Sequence, residues 1–227
     1  MNVELLAAAR LDFSIVSDSA ADLVWGGLWT LEITLTGIAG VLIVGIVGAA
    51  MRTSKSALAR GLATAFAEFF RNTPPLVWIY FFFFALLGVG IKLPAVVAGT
   101  LALVFYQGAI AIEILRAGIE AVPSGQFEAA SALGLPPFEQ FRSIVLPQAF
   151  RISLPALGNN LISLLKNTSL ISAIGTIEIT GIAQDIIAIK LSSAELYLTL
   201  GAFYLVCVLI LSTIVRYTER RLARYGS

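Results

Sequence analysis

The chain has 227 residues, 58% of them hydrophobic and only 13% charged, with a formal net charge of +1 and a mean hydropathy of +0.91. Soluble domains carry about 25% charged residues, so a water-soluble core is a poor reading, and the near-neutral balance leaves no basic stripe for a nucleic-acid partner. A single cysteine, Cys207, excludes an internal disulfide, and the lack of any histidine removes the commonest general base and metal ligand, so neither a catalytic nor a metal site is expected.

The opening run, MNVELLAAARLDFSIVSD, has no basic stretch followed by a long apolar core, and is not expected to be a cleaved signal peptide. Five stretches beyond it approach or exceed the roughly 20 apolar residues that a helix needs to cross a bilayer. Residues 26–51 carry one charge, Glu32, which either faces a partner subunit or lies near the outer interface. Residues 72–91 are uncharged and follow Arg71. There Pro74 and Pro75 interrupt backbone hydrogen bonding at or near membrane depth, so Arg71, Asn72 and Thr73 either line a gate or mark a packing kink. Residues 93–112 hold Tyr106 and Gln107, which are candidates to face a pathway. At the inner end of this span Glu113 and Arg116, three apart, are expected to pair structurally. Residues 152–177 carry one charge, Lys166, and residues 196–215 carry none. The expected fold is all-α, a single polytopic membrane domain over residues 1–227 with about five transmembrane helices.

Charge orients the spans. Arg52, Lys55 and Arg60 follow the first span, Arg116, Arg142 and Arg151 lie between the third and fourth, and Arg216, Arg220, Arg221 and Arg224 follow the fifth. The N-terminus, with Glu4, Asp12, Asp18 and Asp22, is acidic. The N-terminus is therefore expected outside, the C-terminus inside, and the segment at about 118–150 in the cytoplasm.

That segment breaks the apolar pattern with EAASALGLPPFEQFRSIVLP, residues 128–147. Ser124 suits an N-cap, with Glu128 in the first turn of the helix that follows. Gly134 suits a left-handed residue closing that helix, and Pro136 blocks its continuation. Pro137 suits the first turn of a second helix whose apolar face is Phe138, Phe141, Ile144 and Val145, and Pro147 is expected to stop it. The physical pattern fits either a loop packed on the membrane helices or a docking element for another protein.

The residues Glu128, Ala129, Ala130, Gly134, Ile144, Leu146 and Pro147 match, without departure, the E-A-A, three residues, G, nine residues, I-x-L-P signature of permease subunits of ABC-type importers. GGLWTLEITL, FRNTPPL, EILRAGIEAVPSGQFEAASALG, LPQAFRISLPALGNN and LLKNTSLISAI extend the likeness over nearly the whole chain, which resembles the permeases for polar amino acids (the histidine, glutamine and glutamate type). The resemblance implies a bacterial plasma (inner) membrane protein whose docking loop engages a cytoplasmic ATPase subunit, present in two copies. It also implies a second permease, identical or paralogous, and an extracytoplasmic amino-acid-binding protein. This chain has no GxxxxGK[ST], so ATP and magnesium are expected on the partner ATPase and no cofactor on this chain.

A charge inside a span marks a candidate functional residue. Lys166 reads as lining a substrate pathway, because Asn167, Thr168 and Ser169 follow it; an ion pair or a lysine snorkelling to an interface is the structural alternative. Asn159 and Asn160 precede it by up to two turns and offer amide groups, although Asn160 and Lys166 do not share a helical face. In relatives carrying cationic amino acids the position of Asn160 is often glutamate, so the resemblance points to a neutral or acidic substrate, such as glutamine, glutamate or aspartate. An ATP-independent channel or secondary transporter would need intramembrane acids in a cluster, and a membrane enzyme would need a catalytic constellation. Neither is visible. A purely structural subunit is distinguished by the absence of substrate-dependent ATP turnover.

Overall fold

The computed structural model describes residues 11–190 and 194–223. Glu4 and Arg224, counted above in the charge pattern, lie outside the described residues. A short helical turn, α1 (Ser14–Asp18), leads into α2 (Ala20–Arg52), α3 (Ala57–Arg71), α4 (Pro75–Gly88) and α5 (Ala95–Glu120). Then come α6 (Ser124–Ala132), α7 (Pro137–Gln140), α8 (Leu146–Asn167), α9 (Ile179–Lys190) and α10 (Ala194–Ala223). Three helices, α2, α5 and α10, are long and apolar enough to cross a membrane unaided. Two bent pairs supply the rest: α3 with α4 turns by 101°, and the run from α7 to Ile174 turns by 44° into α9.

Close approaches between glycines and their neighbours set the directions. A methyl on Gly40 would stand 2.7 Å from Val104, one on Gly45 2.8 Å from Ala111, and one on Gly108 2.6 Å from Val44. The pairing 40–104, 44–108, 45–111 rises together, so α2 and α5 are parallel, packed backbone to backbone as small residues permit in lipid. Parallel neighbours in a bilayer need an odd number of crossings between them. The bent pair α3–α4 therefore makes one crossing. The packing of Gly118 on Ser153, and of Gly99 on Ile171, runs the other way and makes α8 antiparallel to α5. Gly158 faces Val215 while Tyr204 reaches Glu178, which makes α10 antiparallel to α8. Five crossings alternate, and the two ends of the described chain lie on opposite sides.

The second crossing differs from the expected single span over residues 72–91. Its helix α4 covers only Pro75–Gly88, about 21 Å at 1.5 Å per residue, and the amphipathic α3, capped by the Ser56 hydroxyl, supplies the missing depth. The break between them is mended by a side chain. The Phe70 carbonyl, which Pro74 cannot serve for want of an N–H, accepts the indole N–H of Trp78 at 3.0 Å. Around it Phe66, Phe70 and Phe82 all pack on Phe105, with ring centroids 5.3–5.8 Å apart. Each such pair contributes roughly 1 kcal/mol beyond burial, so the bend is well fastened.

Candidate functional site

Two regions carry the candidate residues, the signature loop that follows α5 and a polar cavity at mid-chain. In the loop, α6 begins at Ser124 with Pro123 in the cap position and no side-chain cap. Ser124 is therefore not the cap, and Glu128, fifth in the helix, falls beyond its first turn. Gly134 adopts φ +73°. The Gly134 N–H donates to Ser131 O at 3.0 Å and the Leu135 N–H to Ala130 O at 3.1 Å, the bond pair of a Schellman motif. Gln140 then reaches back, donating to Leu135 O at 2.7 Å and to Ser131 Oγ at 3.1 Å, so the two short helices are pinned together.

Pro147 does not stop the second helix. A π-helical turn at Phe141–Val145 precedes it, and helix continues as α8 through both Pro147 and Pro155. A widened turn is where a proline's missing donor and ring clash are absorbed. The consequence is mechanical. The loop is continuous with the helix that carries Lys166, so a push on one end is delivered along a single rod. Of the signature residues Ala130 is buried and Ile144 half-buried, whereas Glu128, Ala129, Gly134, Leu146 and Pro147 are exposed. Leu133 and Phe138, 80% and 71% exposed, stand out as apolar knobs on the surface of the loop. Behind them the ends of α2, α3 and α5 are tied by charge: Glu113 pairs with Arg52 at 3.2 Å and with Arg116 at 3.0 Å, Arg116 also with Glu120, and Arg52 with the Thr64 hydroxyl. The expected Glu113–Arg116 pair is thus present, within a longer chain.

The cavity lies between α5 and α8 and has a volume of about 410 Å³, within the range of small-ligand sites. Tyr106 and Gln107 line it from α5, and Asn159, Asn160, Ser163, Lys166 and Asn167 from α8. Asn160 and Lys166, on different faces by helical spacing, border the same space because it wraps the edge of α8 that faces α5. No carboxylate lines it. Asn160 Nδ2 donates to the Gln107 carbonyl at 3.0 Å. The Gln107 side chain is 1% exposed, and its Oε1 is buried without a hydrogen-bond partner. Three further cavities, beside Met51 and Leu62, beside Leu28 and Phe203, and beside Phe141 and Leu157, are lined almost wholly by apolar side chains.

The remaining candidates stand elsewhere. Thr168 is buried with its hydroxyl on Leu165 O at 2.7 Å, and Ser169 donates to Lys166 O at 2.8 Å; both serve the end of α8 rather than the cavity. Arg71, Asn72 and Thr73 form the α3–α4 break, outside the cavity lining. Its depth is nonetheless similar, since neighbouring Phe70 packs on Phe105, beside Tyr106. Glu32 is exposed on the face of α2 opposite the helix packing.

Sequence reasoning missed Glu178. It is fully buried in the break before α9. The Gly181 N–H donates to its Oε1 at 2.7 Å, and the Thr180 N–H and Tyr204 hydroxyl donate to its Oε2 at 3.0 and 3.1 Å. The only sequence signal was an acid directly before a helix start, a place where its charge complements the dipole.

Comparison with known proteins agrees with this architecture. Residues 27–224 match the family described as binding-protein-dependent transport system inner membrane component. The chain is 34% identical over 214 residues to the probable glutamine ABC transporter permease protein GlnM of Bacillus subtilis, covering 94% of this chain and 99% of that one. It is 32% identical over 223 residues to the L-cystine transport system permease protein TcyB of the same organism, covering 97% and 95%. Its fold superposes on a crystal structure of an amino acid ABC transporter with histidines at a TM-score of 0.87, with 33% identity over 93% of this chain and 99% of that one. Helices that alternate across a bilayer, an unbroken signature loop and these matches lead to one assignment: the chain belongs to the inner-membrane component family of binding-protein-dependent transport systems, and is a membrane permease.

Proposed function

We propose that the chain forms the membrane path for a polar amino acid, neutral or acidic, in an ATP-driven importer. The cavity is the observation that carries this reading. It holds one ammonium, Lys166, several amides and no carboxylate. A zwitterionic amino acid brings a carboxylate, which the ammonium attracts, and an amino group, which the amide oxygens of Asn159 and Asn167 in the lining can accept. A cationic side chain would find no counter-charge there and would be repelled by Lys166. Asn160, neutral where the resemblance has glutamate in carriers of cationic substrates, points the same way, and the names of the relatives, glutamine and L-cystine, fall in this class.

Energy enters from outside the chain, which has no phosphate-binding loop. ATP with magnesium is hydrolysed on two copies of an ATPase subunit, each docked on a permease through the exposed Glu128–Pro147 segment. A second permease, identical or paralogous, completes the path, and an extracytoplasmic binding protein delivers the substrate. Closure of the ATPases pushes the loop, and the continuous α7–α8 rod carries that push to Lys166.

The test is uptake by the complete assembly in proteoliposomes, with radiolabelled glutamine, glutamate and arginine offered in competition. ATP-dependent accumulation of glutamine or glutamate, undiminished by excess arginine, is the expected result. Preferred uptake of arginine would overturn the substrate assignment, and accumulation without ATP would overturn the importer reading.

A further inference from the structure

The outer end of the α8 span holds a polar knot that the transport path described above does not use. Helix α8 ends in a 3-10 turn at Thr168–Ile174, and the chain then swings through Gly175, at φ +70°, into α9. No helical hydrogen bonding bridges residues 175–177. Directly beyond stands Glu178, fully buried, its carboxylate taken up by the start of α9 and by Tyr204 of α10. The Tyr204 hydroxyl is also 3.0 Å from Thr180 Oγ1. On the other side, the Thr30 hydroxyl of α2 accepts the Ile179 N–H at 3.1 Å and lies 3.5 Å from Glu178 Oε2. Gly26 presses so closely on this start that an added methyl would stand 2.8 Å from Ile179 Cα. No basic side chain pairs with the carboxylate among the described residues.

A buried carboxylate held by donors from three elements is costly to keep without a purpose, since carbon in its place would need no partners. Its bonds come from beyond Gly175 and from Thr30, and the same Tyr204 hydroxyl also reaches Thr168 at the end of α8. We propose that Glu178 is a positioning residue of the transport cycle, tying the outer ends of α2, α9 and α10 into one body coupled to the end of the cavity-bearing α8. The tie makes the push that arrives along α8 open the outer side as a unit, rather than dissipate in separate helices. The Thr176 hydroxyl, buried in the same break and without a partner, fits a hydrogen-bond arrangement that is completed only in another state of the cycle. This inference rests on the importer reading.

Tyr204→Phe removes the tie to α10 and leaves the bonds from Thr180 and Gly181 to the cap intact, so it separates strapping from capping. Glu178→Gln is the companion variant, close in shape but one acceptor short. Both are made in the complete assembly and reconstituted beside the unaltered protein, and the quantity read is ATP hydrolysed per amino acid imported. Substrate-dependent uptake by the unaltered assembly establishes the importer reading independently. Against that background, the expected result is normal assembly, a KM within about twofold, and import slowed about tenfold with hydrolysis slowed less, the scale of one hydrogen bond to a charged group. The ATP cost per import then rises in both variants. A ratio unchanged from that of the unaltered assembly, in either variant and whatever happens to the rates or the protein yield, reduces Glu178 to a helix cap and overturns the proposal.

Discussion

Lys166 is exposed at a cavity lined by no carboxylate, and in the proposed path its ammonium meets the carboxylate of the substrate. Replacing it by methionine keeps the length of the side chain and removes the charge. Lys166→Met is expected to lower uptake per assembled complex about thirtyfold, since a hydrogen bond to a charged group contributes roughly 2 kcal/mol; uptake normalised to purified complex checks it. Asn160 permits a sharper experiment, because it is buried at the cavity edge with its amide on the Gln107 carbonyl. Asn160→Glu puts a carboxylate within the same lining as Lys166, and it is expected to shift competition in favour of arginine over glutamine. At this scale the sequence singled out Tyr106, Gln107, Asn160, Lys166 and Asn167, which border one cavity, but not how they come together. Helical spacing separated Asn160 from Lys166, because it cannot anticipate a neighbouring helix that wraps a cavity around an edge. Thr168 looked like a continuation of a polar run, yet its hydroxyl satisfies the carbonyl of Leu165. Glu178 escaped notice altogether, since its donors come from residues 26 positions away on α10 as well as from its own helix start.

At the scale of elements, local chemistry was legible and long-range continuity was not. Gly134 at its left-handed turn and Pro137 at a helix start follow from the backbone preferences of those residues alone. The passage of α8 through Pro147 does not, because it depends on a π turn whose cost is met by surrounding packing. The turn at Gly134 predicts graded behaviour. An alanine there costs about 1–2 kcal/mol in the left-handed region, so Gly134→Ala is expected to weaken retention of the ATPase by roughly five- to thirtyfold. Gly134→Pro also loses the N–H that bonds Ser131 O, and co-purification of the ATPase is expected to fail. Glycines at helix contacts behave differently according to the space beside them. Gly45→Leu forces a side chain into the α2–α5 seam, where even a Cβ would stand 2.8 Å from Ala111, and should destabilise by at least about 1–3 kcal/mol. Gly61, on α3, has nothing within 4 Å of an added Cβ, so Gly61→Ala is expected to be neutral or stabilising by up to about 1 kcal/mol. Thermal unfolding in detergent separates the two.

For the whole molecule, access to ATP depends on which side of the bilayer holds the loop. Charge placed it inside, and the parallel packing of α2 on α5 independently requires one crossing between them, which α3 and α4 supply together. The apolar pattern alone had drawn that crossing as a single span over residues 72–91 with a break at Pro74 and Pro75, because a window of hydropathy records depth and not direction. Helix α10 belongs to the same picture: Leu205, Val206, Leu209, Ile210 and Ile214 are each more than half exposed, a surface that lipid or a second permease covers and water does not. Five crossings put Lys92, between α4 and α5, on the side opposite Glu139 in α7, and both residues are exposed. With Cys207 replaced by serine, the variants Lys92→Cys and Glu139→Cys each carry one thiol. An impermeant thiol reagent added to intact cells is expected to label Lys92→Cys at once, and Glu139→Cys only after the membrane is opened. Labelling of Glu139→Cys from outside would turn the docking loop away from cytoplasmic ATP, and with it the rod that joins Gly134 to Lys166 would have no motor to drive it.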